Sequence, residues 1–322
     1  MDLLFNKNGT GIDELRKYLS GLYASQEFGV LKGYLENATG DLIKMISQAV
    51  YDKASTHYQS GNFEDGSHAD DDLLVYLVQD PVAKKAYLEY APVSDLKNDG
   101  NGRRMHVDES SKAPWEWMIR NADEAVFRQY HKAVNRLLEH LENKKPSEWT
   151  NSDPYKERKS LLCSAPADID PINQSHWFFA RTKVFNREAQ EDKVLPVIGL
   201  SRYEEIIGKL KQASDLSEEE KRLVAIGKKL IRHLVMIRAC YEFPVEFLPE
   251  GTVQRYVGDR EGKRASVPAN EQMLERAAHY HRTEAKRHLA ALEERVKQIK
   301  LANQTYTPSE KPAPEKRKFF RP

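Results

Sequence analysis

Cysteine is nearly absent from this sequence, whose 322 residues include only Cys163 and Cys240. Two cysteines cannot build the disulfide framework that staples small secreted domains. Both lie in stretches with the apolar spacing of helices, so we expect the two thiols to be buried and reduced.

Long hydrophobic runs and an excess of one charge are also lacking. No apolar run approaches the ~20 residues needed to span a bilayer, so we expect no membrane contact. Met1–Phe5 has no basic residue of the kind that opens a signal peptide, and we expect no such peptide. Lys and Arg number 50 against 49 Asp and Glu. This balance gives no global field that would attract nucleic acid or a membrane surface.

Catalytic signatures are missing too. The sequence has no Gly-x-Ser-x-Gly, the pattern around many nucleophilic serines. Three histidines, His279, His281 and His288, suggest a metal site. However, His281 and His288 are two turns apart on one helix, too far for one ion, and His279 points elsewhere. We favour a seam or surface role for them, and we expect no catalytic residues, no metal site and no cofactor.

The residues that are present favour amphipathic helices. Charged residues make up 31% and hydrophobic residues 40%, which suits helices with solvated outer faces. The length allows about two domains. We predict a mainly α protein of two related helical-bundle halves, residues 1–145 and 146–302, each with an inserted β-hairpin arm. A long C-terminal helix and a disordered basic tail, residues 303–322, complete the prediction.

In the first half, short helices are predicted over Ile12–Tyr23 and Phe28–Leu35, and a longer one over Asp41–Tyr58. Asp70–Asp72 opens the next helix, since acids favour its positive end, and Pro92 ends it.

Turn residues then predict a β-hairpin near residues 93–107. Asn98–Gly102 supplies the positive φ angles that its turn requires. Asn121 with Glu124 predicts the cap of a helix that ends near Asn143.

The second half is predicted to begin at a boundary over Pro146–Ser152. Its early features are a helix from Ser152, a turn over Ala165–Pro171, a helix over Trp177–Ala189 broken by Pro196–Gly199, and a capping box of Ser201 with Glu204. Ser217 with Glu220 caps an apolar helix to about Tyr241, in which Gly227 either allows close packing or is simply tolerated. A second hairpin follows near residues 245–257, and Pro268 opens the last helix, to about Ala302.

Both halves share one plan. Tyr87–Pro114 and Tyr241–Pro268 each run from a helix end through a proline, a valine and an acid–glycine turn to a proline that opens the next helix. The plan either reflects duplication of one module or converges on common turn chemistry.

Three sets of residues are candidates for contacts with partners. In the last helix, Leu274, Ala285, Leu292 and Ile299 form a heptad-like seam, which serves either a subunit contact or packing onto its own bundle. In the tail, Phe319 and Phe320 suit docking into an apolar groove. Near the hairpins, six basic residues are candidates for weak contacts with DNA, or are ordinary solvated loop residues: Arg103, Arg104, Arg255, Arg260, Lys263 and Arg264.

Several stretches carry a resemblance to known proteins: Leu137–Glu142, Trp149–Ser152 with Tyr155, Ala180–Phe185, Val197–Gly199 and Leu248–Val257. Together they resemble an uncharacterised family found beside the structural genes of bacterial phages and prophages, over most of residues 70–302. More loosely, each half resembles a head–tail connector (head-completion) module, a small helical bundle with an inserted β-hairpin or loop.

The resemblance implies a virion structural protein that is made in the bacterial host cytoplasm. It implies a non-enzymatic connector or adaptor, assembled as a ring homo-oligomer that docks to portal or tail-completion proteins. No catalytic residues carry over from the family. The alternative is a soluble hydrolase or a nucleic-acid-processing accessory protein with an unrecognised site. Two or three titratable side chains converging in one pocket would favour that alternative.

Overall fold

The structure, a computed structural model, describes residues 2–19, 22, 26–60, 62–64, 67, 69–94, 96–99, 102–105, 115–212, 214–243, 245–248, 251–254 and 270–303. The helices in chain order are α1 Gly11–Arg16, α2 Phe28–Ile46, α3 Gln48–Gln59, α4 Asp70–Ser94, α5 Glu116–Lys144, α6 Ser147–Thr150, α7 Asp153–Lys159, α8 Pro166–Ile169, α9 His176–Arg181, α10 Lys183–Ala189, α11 Leu195–Ile198, α12 Leu200–Lys211, α13 Glu218–Glu242 and α14 Glu271–Asn303. A π-helical turn, Gln190–Val194, joins α10 to α11. The described chain is mainly helical, which confirms the mainly α part of the predicted fold class.

The start and end of α13 follow from local chemistry. The Ser217 hydroxyl accepts from the Glu220 amide at 3.2 Å, and the Glu220 carboxylate accepts from the Ser217 amide at 2.8 Å. This reciprocal box satisfies two of the amides that a helix start leaves unpaired. Midway along α13, a Cβ added to Gly227 would lie 2.9 Å from the Leu162 side chain, so the glycine permits close packing.

Other predicted boundaries were wrong. Helix α4 continues past Pro92 to Ser94, because a proline near a helix end removes only one hydrogen bond from a turn that is already incomplete. Helix α5 begins at Glu116, so Asn121 lies inside it and caps nothing. Helix α12 begins at Leu200, and its cap is Gly199, with φ 87°, rather than Ser201.

Some breaks within helices also differ from the prediction. Helix α2 runs through to Ile46, and the chain turns at Ser47, with φ 84°, before α3. The predicted turn at Ala165–Pro171 contains α8. The helix predicted over Trp177–Ala189 is divided at Thr182, whose hydroxyl donates to the Phe178 carbonyl at 2.9 Å. Such a side-chain bond competes with the regular helix pattern.

Two short antiparallel strand pairs separate the long helices. Strand β1, Leu96–Asp99, pairs with β2, Gly102–Met105, and β3, Val245–Leu248, pairs with β4, Gly251–Gln254. Nothing is described of their side chains or of most of the chain around them, so the arm that we predicted for each half stays a prediction.

The buried apolar residues form two clusters. The first runs from Leu3 to Trp149 and is built mainly on α2, α3, α4 and α5. The second runs from Leu162 to Ile299 and is built mainly on α10, α13 and α14. The change from one cluster to the other therefore falls after α6. The half-buried Trp177 of the second half packs against the first cluster.

Several corresponding elements of the two halves have equal lengths, although α5 has 29 residues and α14 has 33. Helices α3 and α12 each have 12 residues, and α4 and α13 each have 25. All four strands have four residues. The residues before α3 and α12 share an unusual backbone conformation, with φ 84° and ψ 156° at Ser47 and φ 87° and ψ 144° at Gly199. Among the described helices, none is long and apolar enough to cross a membrane.

Candidate metal centre

The predicted seam of α14 faces the protein's own second core. Ala285, Leu292 and Ile299 are 6%, 0% and 3% exposed and belong to that apolar cluster. Leu274 is half-buried. The sequence left open whether this seam contacts another subunit or packs onto its own bundle. The three buried side chains pack onto their own bundle. In this conformation they present no surface to a second subunit.

The other predicted contact residues cannot be placed in detail. Arg103 and Arg104 lie in β2, and nothing is described of their side chains. The rest lie outside the described residues: Arg255, Arg260, Lys263, Arg264, Phe319 and Phe320.

The two cysteines are free thiols. Cys163 is fully buried, its Sγ lies 3.7 Å from the Lys228 carbonyl oxygen, and burial raises the pKa of the thiol. Cys240 is half-buried, and burial raises its pKa as well. Raised thiol pKa values suppress the thiolate, which is the nucleophilic form.

A cluster of histidines lies between α13 and α14. The Nδ1 atoms of His233 and His281 are 2.9 Å apart, so one ring donates a hydrogen bond and the other accepts it. The rings of His233 and His288 stack with centroids 5.5 Å apart and planes at 12°. The His288 Nε2 atom lies 3.8 Å from a carboxylate oxygen of Glu284. His233, Glu284 and His288 each offer one ligand atom, and these atoms all lie within 4.8 Å of one another.

The packing of the two helices sets this arrangement. Tyr241, near the end of α13, donates to Glu275, near the start of α14, at 2.8 Å. His233, earlier in α13, meets His281, later in α14, so the two helices run antiparallel. On α14, His281, Glu284 and His288 are separated by three and four residues and therefore share one face. Ala285 and Leu292, which are seven residues apart, anchor the neighbouring face in the second core.

The electrostatics of the cluster keep its imidazoles neutral. Burial, together with the proximity of His281 and His288, lowers the pKa of His233 to about 4. Burial also lowers the pKa of His281 and of His288, and Arg287 contributes to the shift at His288. Neutral imidazoles expose nitrogen lone pairs at physiological pH, which is the form that binds a metal ion.

The sequence did not indicate this cluster, because spacing within one helix does not show what a facing helix contributes. His281 and His288 are too far apart for one ion, but His233 of the facing helix approaches both. The available local signal was the spacing of His281, Glu284 and His288. No local signal indicates His233, which is 48 residues from His281 along the chain.

Two clefts lie elsewhere. One of about 380 Å³ is lined by Glu14, Tyr58 and neighbouring residues, where the Tyr58 hydroxyl donates to Glu14 at 2.7 Å. A more open one of about 610 Å³ lies beside His57, whose Nε2 atom is 2.6 Å from Asp72. Asp72 also accepts from the Glu64 amide at 3.3 Å. Asp72 thus connects the start of α4 to His57 of α3 and to Glu64 in the segment between the two helices. These contacts stabilise the fold.

Comparison with known proteins finds one family. No curated protein and no solved structure matches the chain. The profile of a family described as a family of unknown function (DUF6712) matches residues 36–159 and 194–316. The first stretch contains α3, α4, β1, β2 and α5, and the second contains α12, α13, β3, β4 and α14. These two stretches cover more than half of the chain, which therefore belongs to this family.

Proposed function

We propose that this protein is a non-enzymatic structural subunit, a head–tail connector or adaptor in the particle of a tailed bacteriophage or prophage. It acts by assembling into a ring and docking to portal or tail-completion proteins. The observation that carries the proposal is the repetition of one plan in both halves: a 12-residue helix, a 25-residue helix, a strand pair and a long helix.

This repetition supports duplication of one module rather than convergence on common turns. Turn chemistry alone sets where a helix begins and ends, but it does not equalise the lengths of two successive helices. The positive φ at both Ser47 and Gly199 adds a backbone feature that turn convergence does not require, since serine rarely adopts it. The family profile, which matches one stretch in each half, agrees with this inference.

A duplicated module suits an assembly role. One chain presents related surfaces twice at a fixed offset, so each subunit can engage two neighbours or two copies of a partner. Each half would carry its strand pair as an arm between its two longest helices. Through Arg103, Arg104 and their counterparts near the second pair, these arms would make weak, sequence-independent contacts with packaged DNA.

The proposed subunit contact is made by α14. Its large exposed apolar residues are Met273, Tyr280 and Leu301, which are 60%, 58% and 59% exposed. Met273 and Leu301 lie near the two ends of α14, and the Tyr280 ring also stands edge-on to the His233 ring of α13, with centroids 6.1 Å apart. A neighbouring copy of the chain can reach the exposed parts of these side chains. The tail residues Phe319 and Phe320 would supply a second contact, as aromatic anchors in a groove on the portal.

Assembly is the test of this proposal. The full chain, alone or mixed with a candidate phage portal protein, should form closed rings in electron micrographs and in analytical ultracentrifugation. Purified particles should contain the chain by mass spectrometry. The double variant Met273→Glu, Leu301→Glu should lose ring formation while keeping its helix content, and deletion of residues 310–322 should weaken portal binding without changing the melting temperature. Absence from purified particles would refute the proposal.

One observation favours a second candidate function. His233, Glu284 and His288 converge, and two imidazoles with one carboxylate form the ligand set of several catalytic zinc sites. Such a set leaves a coordination position open for water, as a hydrolase or a nucleic-acid-processing accessory protein requires. Metal-dependent hydrolysis of a phosphodiester or peptide substrate that disappears in Glu284→Gln would favour this candidate over the connector.

A further inference from the structure

We propose that His233, Glu284 and His288 bind one divalent ion of the zinc class and thereby link α13 to α14. This inference is independent of the connector role, because it rests on the contacts between the two helices and not on any assembly.

The spacing of the three side chains suits such an ion. Their ligand atoms lie within 4.8 Å of one another, whereas ligands about 2.0–2.2 Å from a tetrahedral zinc lie roughly 3.3–3.5 Å apart. Side-chain rotations that move each ligand atom by about 1 Å would close this difference. All three residues are half-buried, so they have room to rotate without disturbing the core.

The protein already holds two of the ligands in position. Glu284 and His288 are one helical turn apart on α14, so their side chains project from the same face. The third ligand, His233, is oriented by His281, since their Nδ1 atoms are 2.9 Å apart. With Nδ1 engaged, Nε2 is the nitrogen of His233 that remains for a metal ion. A second-layer hydrogen bond to the other ring nitrogen is the usual companion of a metal-bound histidine.

The ligand types select the class of ion. Two imidazoles and one carboxylate suit zinc and its neighbours, while calcium and magnesium favour sites built from oxygen. Arg287 lies 2.5 Å from the Glu284 carboxylate in an ion pair. Its side chain is 66% exposed, so it can turn into solvent when the carboxylate binds the ion. Three protein ligands leave a fourth position, which a water molecule fills.

Zinc titration of the full chain tests this inference. Protein stripped with a chelator should bind one equivalent of zinc chloride by calorimetry and melt at a higher temperature with zinc than without it. Cobalt chloride should give the visible absorption of a tetrahedral site, and magnesium or calcium chloride in excess should not displace it. His233→Gln and His288→Gln should each weaken zinc binding by roughly tenfold or more.

The chain offers a matched control and a positioning variant. His279→Gln removes an exposed histidine of the same helix that lies outside the cluster, and it should leave affinity unchanged. His281→Phe should lower affinity by roughly 10- to 100-fold while keeping one site per chain. Circular dichroism in chelator checks that each variant folds. If a histidine variant does not fold, Glu284→Gln, whose side chain is 21% exposed, takes its place.

Two outcomes would overturn the inference. One is the absence of zinc binding by the chelator-treated wild type. The other is zinc binding that survives in both ligand variants that fold, or that His279→Gln weakens as much as they do. Either result leaves the connector proposal untouched, because ring formation is measured separately.

Discussion

Leu292 is the position where packing within the chain can be separated from assembly between chains. Its side chain is 0% exposed and lies in the second core among the residues of α13 and α14. Leu292→Ala removes three buried carbon atoms and leaves a cavity between tightly packed helices. The expected consequence is a loss of stability within one chain and not a change of mass.

The magnitude follows from the burial. Leucine-to-alanine changes at fully buried positions cost about 2–5 kcal/mol of unfolding free energy, depending on how far the cavity collapses. We expect about 3 kcal/mol here, because α14 is held on both sides of the site by Ala285 and Ile299. The matched control is Leu200→Ala on α12, outside the proposed subunit contact. Leu200 is 60% exposed, and its truncation should change stability by about 0.5 kcal/mol or less.

Urea unfolding, followed by circular dichroism at several protein concentrations, measures both variants. The Leu292→Ala midpoint should fall by the same amount at every concentration, since the lost contacts lie within one chain. Leu292→Glu should unfold the second core, because it would bury an unpaired charge. If instead Leu292→Glu keeps a stable helical monomer and lowers only the assembled mass, the assignment of this residue to the protein's own core is wrong.

Two further predictions concern buried polar groups. Glu142→Leu should lower the free energy of unfolding by about 3–5 kcal/mol. The Arg158 guanidinium, which is 2.9 Å from the Glu142 carboxylate, would be left buried without its charge partner. A loss of unfolding free energy below about 1 kcal/mol would contradict this. Burial, with a smaller effect of Arg158, lowers the pKa of His176 from 6.5 to about 4. Between those pH values the unfolded chain takes up a proton that the folded chain does not, so stability is full above pH 6.5 and declines towards pH 4. His176→Phe should flatten this part of the pH–stability curve, and an unchanged slope would refute the role of His176.

The helix starts show where local signatures succeed and where they fail. The sequence predicted three caps from the same type of pattern, at Asn121, Ser201 and Ser217, and only Ser217 acts as one. Ser201 does not cap α12, because Gly199 adopts φ 87° and turns the chain into the helix two residues earlier. A capping signature marks a residue that can cap, but the helix begins where the preceding backbone first allows it.

The α14 seam shows that spacing within one helix does not predict what its apolar face contacts. A repeat of seven residues places Ala285, Leu292 and Ile299 on one face, and an apolar face packs equally well against a partner chain or a helix of its own chain. Spacing along one helix therefore leaves the two roles open. The position of α13 decided between them, because it covers that face within the same chain.

By itself, the sequence determined the mainly helical class, the ends of α13 and the apolar faces, because these depend on contacts within a few residues. Only the tertiary structure decided which faces meet. His233 and His281 are 48 residues apart in the chain and 2.9 Å apart in space. Their meeting depends on the register of α13 against α14, which the packing of Ala285 and Leu292 in the second core sets. Because that register is a property of the whole packed pair, no spacing within either helix encodes the cluster.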